Sequence, residues 1–439
     1  MENLSQKITE MMTPQNADES LSGVDSTSRA IVQELKDKYY ENKDLLDFSE
    51  FRDIGKYPSS GKYPFALDLS YLQYACGVLK NIVSSGTTLN KNVKVVIFKN
   101  QLKISGFNSE GFAEVLIPLS TNTCFDKNYF FVIELSHFQK LVASFEKRVI
   151  NFCYVPEKYL LQVVSGQTQV DLPTEPEVSF TEYSKSIKEI KDLEKQVNPQ
   201  ILKTALSYMS LCSSTETSQN DNPFGIVECR DGALVGGNGS YLGLFKSDLF
   251  VNNPLKIRHE SISTINKILP YFSSKTRLFL TENYYLFRDQ NVFFGISIPS
   301  LKFPSLKNLL SEDPVDSYTV LRETLLKSLI KISVASLDRN NLVKLTVTPT
   351  GSSTTLLLEL KEGVRASSKD VINISRSRPD TSIREYHISL EKMIDLLKFV
   401  KTSEVKVFEL NGKSNALMVK CEDNEYTTTS IISVGHPVK

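Results

Sequence analysis

The side chains that most often carry chemistry are sparse in this chain and stand apart. The four histidines, His137, His259, His387 and His436, share no H-E-x-x-H or H-x-x-x-H spacing, so no imidazole pair is offered to a metal from one helix face. The six cysteines, Cys76, Cys124, Cys153, Cys212, Cys229 and Cys421, form no C-x-x-C pair. Cys153 and Cys212 sit in the apolar runs NFCY and SLCS, where a thiol serves as a small hydrophobe. Unpaired cysteines of this kind suit a reducing, cytosolic-type compartment. No G-x-S-x-G, Walker A or G-x-G-x-x-G run occurs. The nearest glycine-rich run, 236–243 (GGNGSYLG), has the wrong spacing for a dinucleotide loop, and a tight hairpin turn is expected there. With no nucleophile, metal cluster or phosphate loop on offer, the chain is read as a non-enzyme needing no cofactor and no metal. The chemistry that remains is electrostatic, from the placement of lysines and arginines.

Those cations depend on the elements that hold them. The chain has 439 residues, of which 41% are hydrophobic, enough for about three domains at roughly 150 residues each. No run approaches the roughly 18 apolar residues of a membrane span, and the polar, acidic N-terminus does not read as a secretory signal. Residues 1–61 read as a partly disordered extension, with twelve acidic and seven basic side chains in the first sixty. Within it Ile31, Leu35, Tyr39, Leu45, Leu46 and Phe48 suggest one amphipathic helix over 28–51. After Pro64 one pattern recurs three times: helix, several strands, helix, several strands. The expected boundaries are 62–178, a charged and partly helical linker over 179–197, then 198–313 and 314–439. Asn198-Pro199 is an N-cap followed by proline at the first helical position. Two helices against about eight strands cannot cover both faces of a sheet. The expected fold is therefore α+β, three similar domains each with a helix pair packed on antiparallel sheets.

Formal charge is unevenly divided among these elements. Lys plus Arg and Asp plus Glu are both 51, a net charge of zero, which by itself argues against a polyanionic partner. Over the six expected helical segments, 69–83, 137–148, 198–212, 256–277, 322–339 and 389–401, the net charge is positive in every case and totals +11. The remainder of the chain is correspondingly acidic. Candidate phosphate contacts are Lys80, Lys140, Lys147, Arg148, Lys203, Lys267, Lys275, Lys327, Lys331, Lys392, Lys398 and Lys401.

The repeat and its landmarks resemble the bacterial DNA polymerase III beta subunit, the three-domain sliding clamp, over roughly residues 62–436. FFVIELSHFQKLVASF at 130–145 resembles the family's strand into second helix, and Pro-Thr-Glu-Pro-Glu at 173–177 its acidic crossover. GGNGSYLG stands in place of Ala-Thr-Asp-Gly-His-Arg-Leu-Ala, and Phe303-Pro304 with Leu306-Lys307 in place of Phe-Pro-Asp-Tyr-Arg. YHISLEKMIDLLKFV at 386–400, NGKSNALMVK at 411–420 and residues 430–436 resemble the last helix and last two strands. The resemblance implies a head-to-tail homodimeric ring in the cytoplasm, with helices lining the hole and sheets outside. It would hold double-stranded DNA without sequence preference and tether a polymerase, other DNA-processing proteins and a clamp loader. It also implies a partner-peptide pocket at Gly237, Gly239, Leu242, Pro304, Leu309, Ile432 and Val434. The family's His-Arg pair is Ser240-Tyr241 here, its arginine is Asn308, and its terminal Met-Pro-Met-Arg is 432–435 (ISVG). The divergence and the extension suggest a phage, plasmid or other unusual replicon. The alternative reading is a clamp-fold scaffold or interaction protein that never encircles DNA.

Overall fold

The computed structural model describes residues 61–83, 91–120, 125–146, 149–175, 191–214, 222–305, 314–336, 342–350, 353–362, 366–376, 383–410 and 416–434. The expected helix over 28–51, the Asn411-Gly412-Lys413 turn, Leu309, Lys147 and Arg148 all lie outside these residues. The chain divides into two compact units, one of residues 1–108, 113–184 and 290–292, the other of the remainder.

One module builds both units: a lead strand, a helix entered directly from it, and a three-stranded meander. In the first unit these are β1 (Tyr63–Asp68), α1 (Leu69–Val83), β2 (Asn92–Lys99), β3 (Gln101–Phe107) and β4 (Gly111–Pro118), then β5 (Phe125–Glu134), α2 (Leu135–Ser144), β6 (Val149–Val155), β7 (Leu160–Ser165) and β8 (Thr168–Pro173). The second unit runs through β9 (Lys191–Gln196), α3 (Pro199–Cys212), β10 (Ile226–Arg230), β11 (Ala233–Gly237) and β12 (Tyr241–Lys246). It continues with β13 (Lys256–Arg258), α4 (His259–Ile268), β14 (Arg277–Leu280), β15 (Tyr284–Arg288) and β16 (Val292–Ser297). Next come β17 (Pro314–Leu321), α5 (Arg322–Ser333), β18 (Leu342–Thr350), β19 (Ser353–Glu362) and β20 (Ala366–Arg376). The last module is β21 (Arg384–Ser389), α6 (Leu390–Phe399), β22 (Glu404–Leu410), β23 (Ala416–Glu422) and β24 (Thr427–Ser433).

Modules pair by exchanging lead strands. The sheets are β1-β6-β7-β8 and β5-β2-β3-β4, then β13-β10-β11-β12 and β9-β14-β15-β16, then β17-β22-β23-β24 and β21-β18-β19-β20. Each meander thus completes its sheet with the other module's strand, so neither module buries its sheet alone. The sequence reading began each repeat on a helix and assigned the charged stretch before Asn198 to a linker; the structure corrects this. Lys191–Gln196 is a strand whose one partner among the described residues is β14, and its alternating charges suit an edge that must not attract other chains.

The two helices of each pair lie together on one face of their sheets. Where they approach closest the strands carry glycine. A Cβ on Gly243 would lie 2.3 Å from Cys212 Sγ, and one on Gly106 would lie 2.6 Å from Val83 Cγ2. Local chemistry sets the helix ends. Asn198 Oδ1 accepts from the backbone N–H of Gln200 at 3.0 Å and Ile201 at 3.4 Å, ahead of Pro199. Ser389 caps α6 through the N–H of Lys392. Pro270 cannot supply an intrahelical N–H, and α4 passes into a short 3-10 turn over Leu269–Tyr271. No helix among the described residues is long and apolar enough to cross a membrane.

Within the second unit two meander ends meet. β12 and β24 pair antiparallel from Tyr241↔Ile432 to Lys246↔Thr427, making one continuous sheet. A buried hydroxyl chain fastens the joint. Tyr241 donates to Ser430 Oγ at 2.9 Å, the Ser430 and Tyr208 hydroxyls meet at 2.5 Å, and Tyr208 donates to the Thr429 carbonyl at 3.0 Å. The Tyr208 ring also packs 5.2 Å from Phe399, which carries the contact from α3 to α6.

Candidate functional site

The candidate residues fall into two sets. On the helices of the first unit Lys80 (α1) and Lys140 (α2) are exposed; on those of the second unit Lys267 (α4) and Lys398 (α6) are exposed, and Lys203 (α3) and Lys392 (α6) are half-buried. Lys275 and Lys401 are exposed but lie in turns beyond α4 and α6. Lys327 and Lys331 project from α5, where they pair with Glu323 at 3.4 Å and Asp370 at 3.7 Å. Arg322 turns inward and donates to the carbonyls of Leu397 and Val400, so it holds α5 against α6.

The observed helices are shorter than the segments used for the charge count. Within their true bounds α1, α2 and α3 each carry +1, α5 carries +2, and α4 and α6 are neutral, a total of +5. The expectation of six positive helices is corrected. Lys256, Arg258, Lys275 and Arg277 belong to strands and turns flanking α4. Burial draws the Lys256 ammonium below its ordinary range, with Glu228 opposing the shift.

The second surface is apolar and lies on the face of the β12–β24 joint away from the helices. The 236–243 run forms the expected hairpin: Gly239 takes φ +88°, and Asn238 Oδ1 accepts from the N–H groups of Ser240 and Tyr241. Leu242 is buried with Ala233, Val235, Phe303, Leu410, Ala416 and Ile431, and Phe224, Leu244 and Met418 pack against them. At Gly237 a Cβ would lie 2.9 Å from the Tyr241 carbonyl oxygen and 3.4 Å from both Leu242 and Phe303. Gly237 is thus where the 301–305 segment comes down onto the hairpin. Pro304 follows in that segment, Gly239 is exposed at the turn, and Val434 is half-buried just past β24. Ile432 does not join the cluster. It pairs with Tyr241, whereas Ile431 pairs with Leu242, and period-two alternation sends the two isoleucines to opposite faces.

A clamp that the sequence reading missed holds this wall in place. Arg230 Nη1 donates to the Pro304 carbonyl at 2.8 Å, and Nη2 donates to the Phe303 carbonyl and to Glu228 Oε2. Glu228 in turn accepts from the Phe303 N–H at 3.1 Å. Replacing Arg230 with methionine keeps the stem and removes the fork. It is expected to destabilise the second unit by about 1–2 kcal/mol and to speed amide exchange of residues 301–305 at least tenfold. Unchanged exchange there would show that the apolar contacts alone hold the wall.

Burial pushes the Cys76 thiol up to about 12 and raises those of Cys212 and Cys229 as well.

No protein-family model matches the sequence, and no curated protein matches it. Solved structures do. The DNA polymerase III subunit beta of Pseudomonas aeruginosa superposes with a TM-score of 0.72 at 14% identity, covering 85% of this chain and all of that one. The sliding clamp of Bacillus subtilis gives 0.70 at 18% identity, over 86% of this chain and all of that one. The beta subunit of Thermotoga maritima gives 0.69 at 13% identity, over 86% of this chain and all of that one. The chain has the fold of a DNA polymerase III beta sliding clamp. At this identity what is shared is the clamp fold, carried by backbone architecture and apolar patterning. The clamp fold accounts for the modules and the helix pairs of the described residues.

Proposed function

We propose that the protein is a DNA sliding clamp, a processivity factor without enzymatic activity that encircles duplex DNA and tethers a polymerase and other DNA-processing proteins. In this reading residues 62–178, 198–313 and 314–439 are three clamp domains, and two copies join head to tail in the cytoplasm. The observation that carries it is the β12–β24 joint, in which two meander ends make one continuous sheet. The same kind of edge is available at β8 in the first unit, which ends its sheet. It is available again along β20 in the second, where the described pairs with β17 are Tyr318↔Arg376 and Thr319↔Ser375 at its end. Pairing β8 of one copy with β20 of another would repeat the joint and, done twice, close a ring.

The exposed helix lysines then face phosphates, which gives weak, interchangeable contacts that let the ring slide. The cluster around Leu242 and Phe303 serves as the seat for a partner's apolar peptide. Ser240 and Tyr241 there would select a peptide different from one met by a His-Arg pair. A second reading, a clamp-fold scaffold that never encircles DNA, is favoured by the neutrality of α4 and α6 and by the ion pairs of Lys327 and Lys331.

Duplex binding measured against salt separates the two readings. Changing Lys80, Lys140, Lys203, Lys267 and Lys398 together to glutamate should flatten the slope of log affinity against log salt, which loses about 0.9 for each phosphate contact removed. An identical slope in the wild type and the variant would remove these lysines from the DNA surface.

A further inference from the structure

The apolar cluster at the β12–β24 joint is bordered on one side by cations. In β10, Glu228 stands opposite Val235 and Arg230 opposite Ala233, and both of those β11 residues belong to the cluster around Leu242. On its other side Glu228 stands opposite Lys256 of β13. Period-two alternation keeps Glu228, Arg230 and Lys256 on one face of the sheet. The other face carries Val227 and Gly236, where a Cβ on Gly236 would lie 3.1 Å from Met209 of α3. The 301–305 segment adds Lys302, exposed beside the buried Phe303. Arg230 joins the two elements, its guanidinium carbon 5.7 Å from the centre of the Phe303 ring.

The charges in this group do not balance. Glu228 is the one acid among the four side chains, and its Oε2 already accepts from Arg230 at 2.9 Å and from the Phe303 N–H at 3.1 Å. The charges acting on the Lys256 ammonium are Glu228, which favours it, and Lys302 and Arg230, which oppose it; Asp231, in the turn beyond Arg230, is not among them. The Arg230 and Glu228 side chains are only 29% and 21% exposed, and an incoming carboxylate is held more strongly in such a half-shielded place than in bulk water. Duplex DNA would bring phosphates but no apolar anchor. These cations adjoin Ala233, Val235 and Phe303 on a single face, which suits a ligand that is apolar at one end and acidic at the other.

We propose that the seat at Leu242 and Phe303 takes a peptide whose apolar anchors are flanked by aspartate or glutamate, and that Lys256, Lys302 and Arg230 are the residues that select this flank. The seat is the one proposed above for a partner's peptide; the acidic flank is what the cationic border adds to it.

Phage-displayed random twelve-residue peptides, selected on the full-length protein, test this. Selected peptides should combine leucine or aromatic anchors with carboxylates enriched several-fold over the unselected library, and Met418→Glu, on the far side of the cluster, should abolish their binding. For the tightest of them, Lys256→Met/Lys302→Gln should raise Kd about fivefold, the scale of two half-exposed ion pairs. Replacing the peptide's own carboxylates with amides should raise Kd as much on the wild type and add nothing on the double variant. Lys302→Gln alone, at an exposed position, should give about half of that effect on a logarithmic scale and keeps the test sound where the double variant folds poorly. Binders without carboxylate enrichment, or an acidic peptide indifferent to these lysines, would overturn the acidic flank and leave the seat standing. Selection of no peptide that Met418→Glu weakens would remove the seat itself. Loss of duplex affinity in the double variant with peptide affinity unchanged would make the border a phosphate contact and overturn the proposal.

Discussion

Asp316→Ala is expected to lower the unfolding free energy of the second unit by about 3–5 kcal/mol, the usual cost of breaking a buried ion pair from one side. The Asp316 and Arg376 side chains are 6% and 3% exposed, and Arg376 Nε donates to Asp316 Oδ2 at 2.6 Å, with a further close contact from Nη2. Oδ1 of the same carboxylate accepts from the Ser317 N–H. The alanine variant takes the Asp316 carboxylate away from a buried guanidinium and from the Ser317 N–H. The pair also ties β17 to β20, so the loss falls where, among the described residues, two residue pairs join the strands. The double replacement Asp316→Leu/Arg376→Met should recover most of the stability, because it removes both charges from the interior. Urea unfolding of the three proteins measures this, and a loss below about 1 kcal/mol in the single variant would mean that water reaches the pair.

Val371→Pro is expected to separate ring closure from folding. The Val371 N–H is bonded to the Asp370 carboxylate at 3.0 Å, and the side chain is 57% exposed. Proline at this place removes an N–H that faces the open edge and keeps the extended backbone. The thermal midpoint should move by only a few degrees. In the proposed ring the dissociation constant between copies should rise at least 100-fold, because proline removes a ladder N–H at the centre of the joint and its ring keeps the partner strand from closing against β20. Sedimentation at matched concentrations reads this directly. A variant that dimerises like the wild type would place the contact between copies elsewhere than β20.

Much of this architecture could be read from residue pattern. Strand–helix alternation after Pro64, the Asn-Pro start of α3 and the glycine hairpin at 236–243 are local features, and each is found where local chemistry puts it. What escaped the reading depends on partners distant in the chain. Lys191–Gln196 has the composition of a solvated linker, and only its pairing with β14 makes it a strand. The choice between Ile431 and Ile432 for the apolar cluster is one residue of register against β12, and a one-residue slip reverses every side chain. Arg230 acts on carbonyls 73 and 74 residues away, which no local pattern announces. The helix charge was overcounted for a related reason. Apolar residues continue past Ile268, but Pro270 ends the regular helix and moves Lys275 and Arg277 off it.

Encirclement is topological, so the decisive measurement is retention on DNA as a function of DNA ends. The full-length protein is assembled on nicked circular duplex, challenged with high salt, and followed before and after the circle is cut once. High salt screens direct phosphate contacts and leaves encirclement intact. The clamp reading predicts retention on the circle and rapid loss from the linear form. Equal retention on both forms, or equal loss from both, would contradict it.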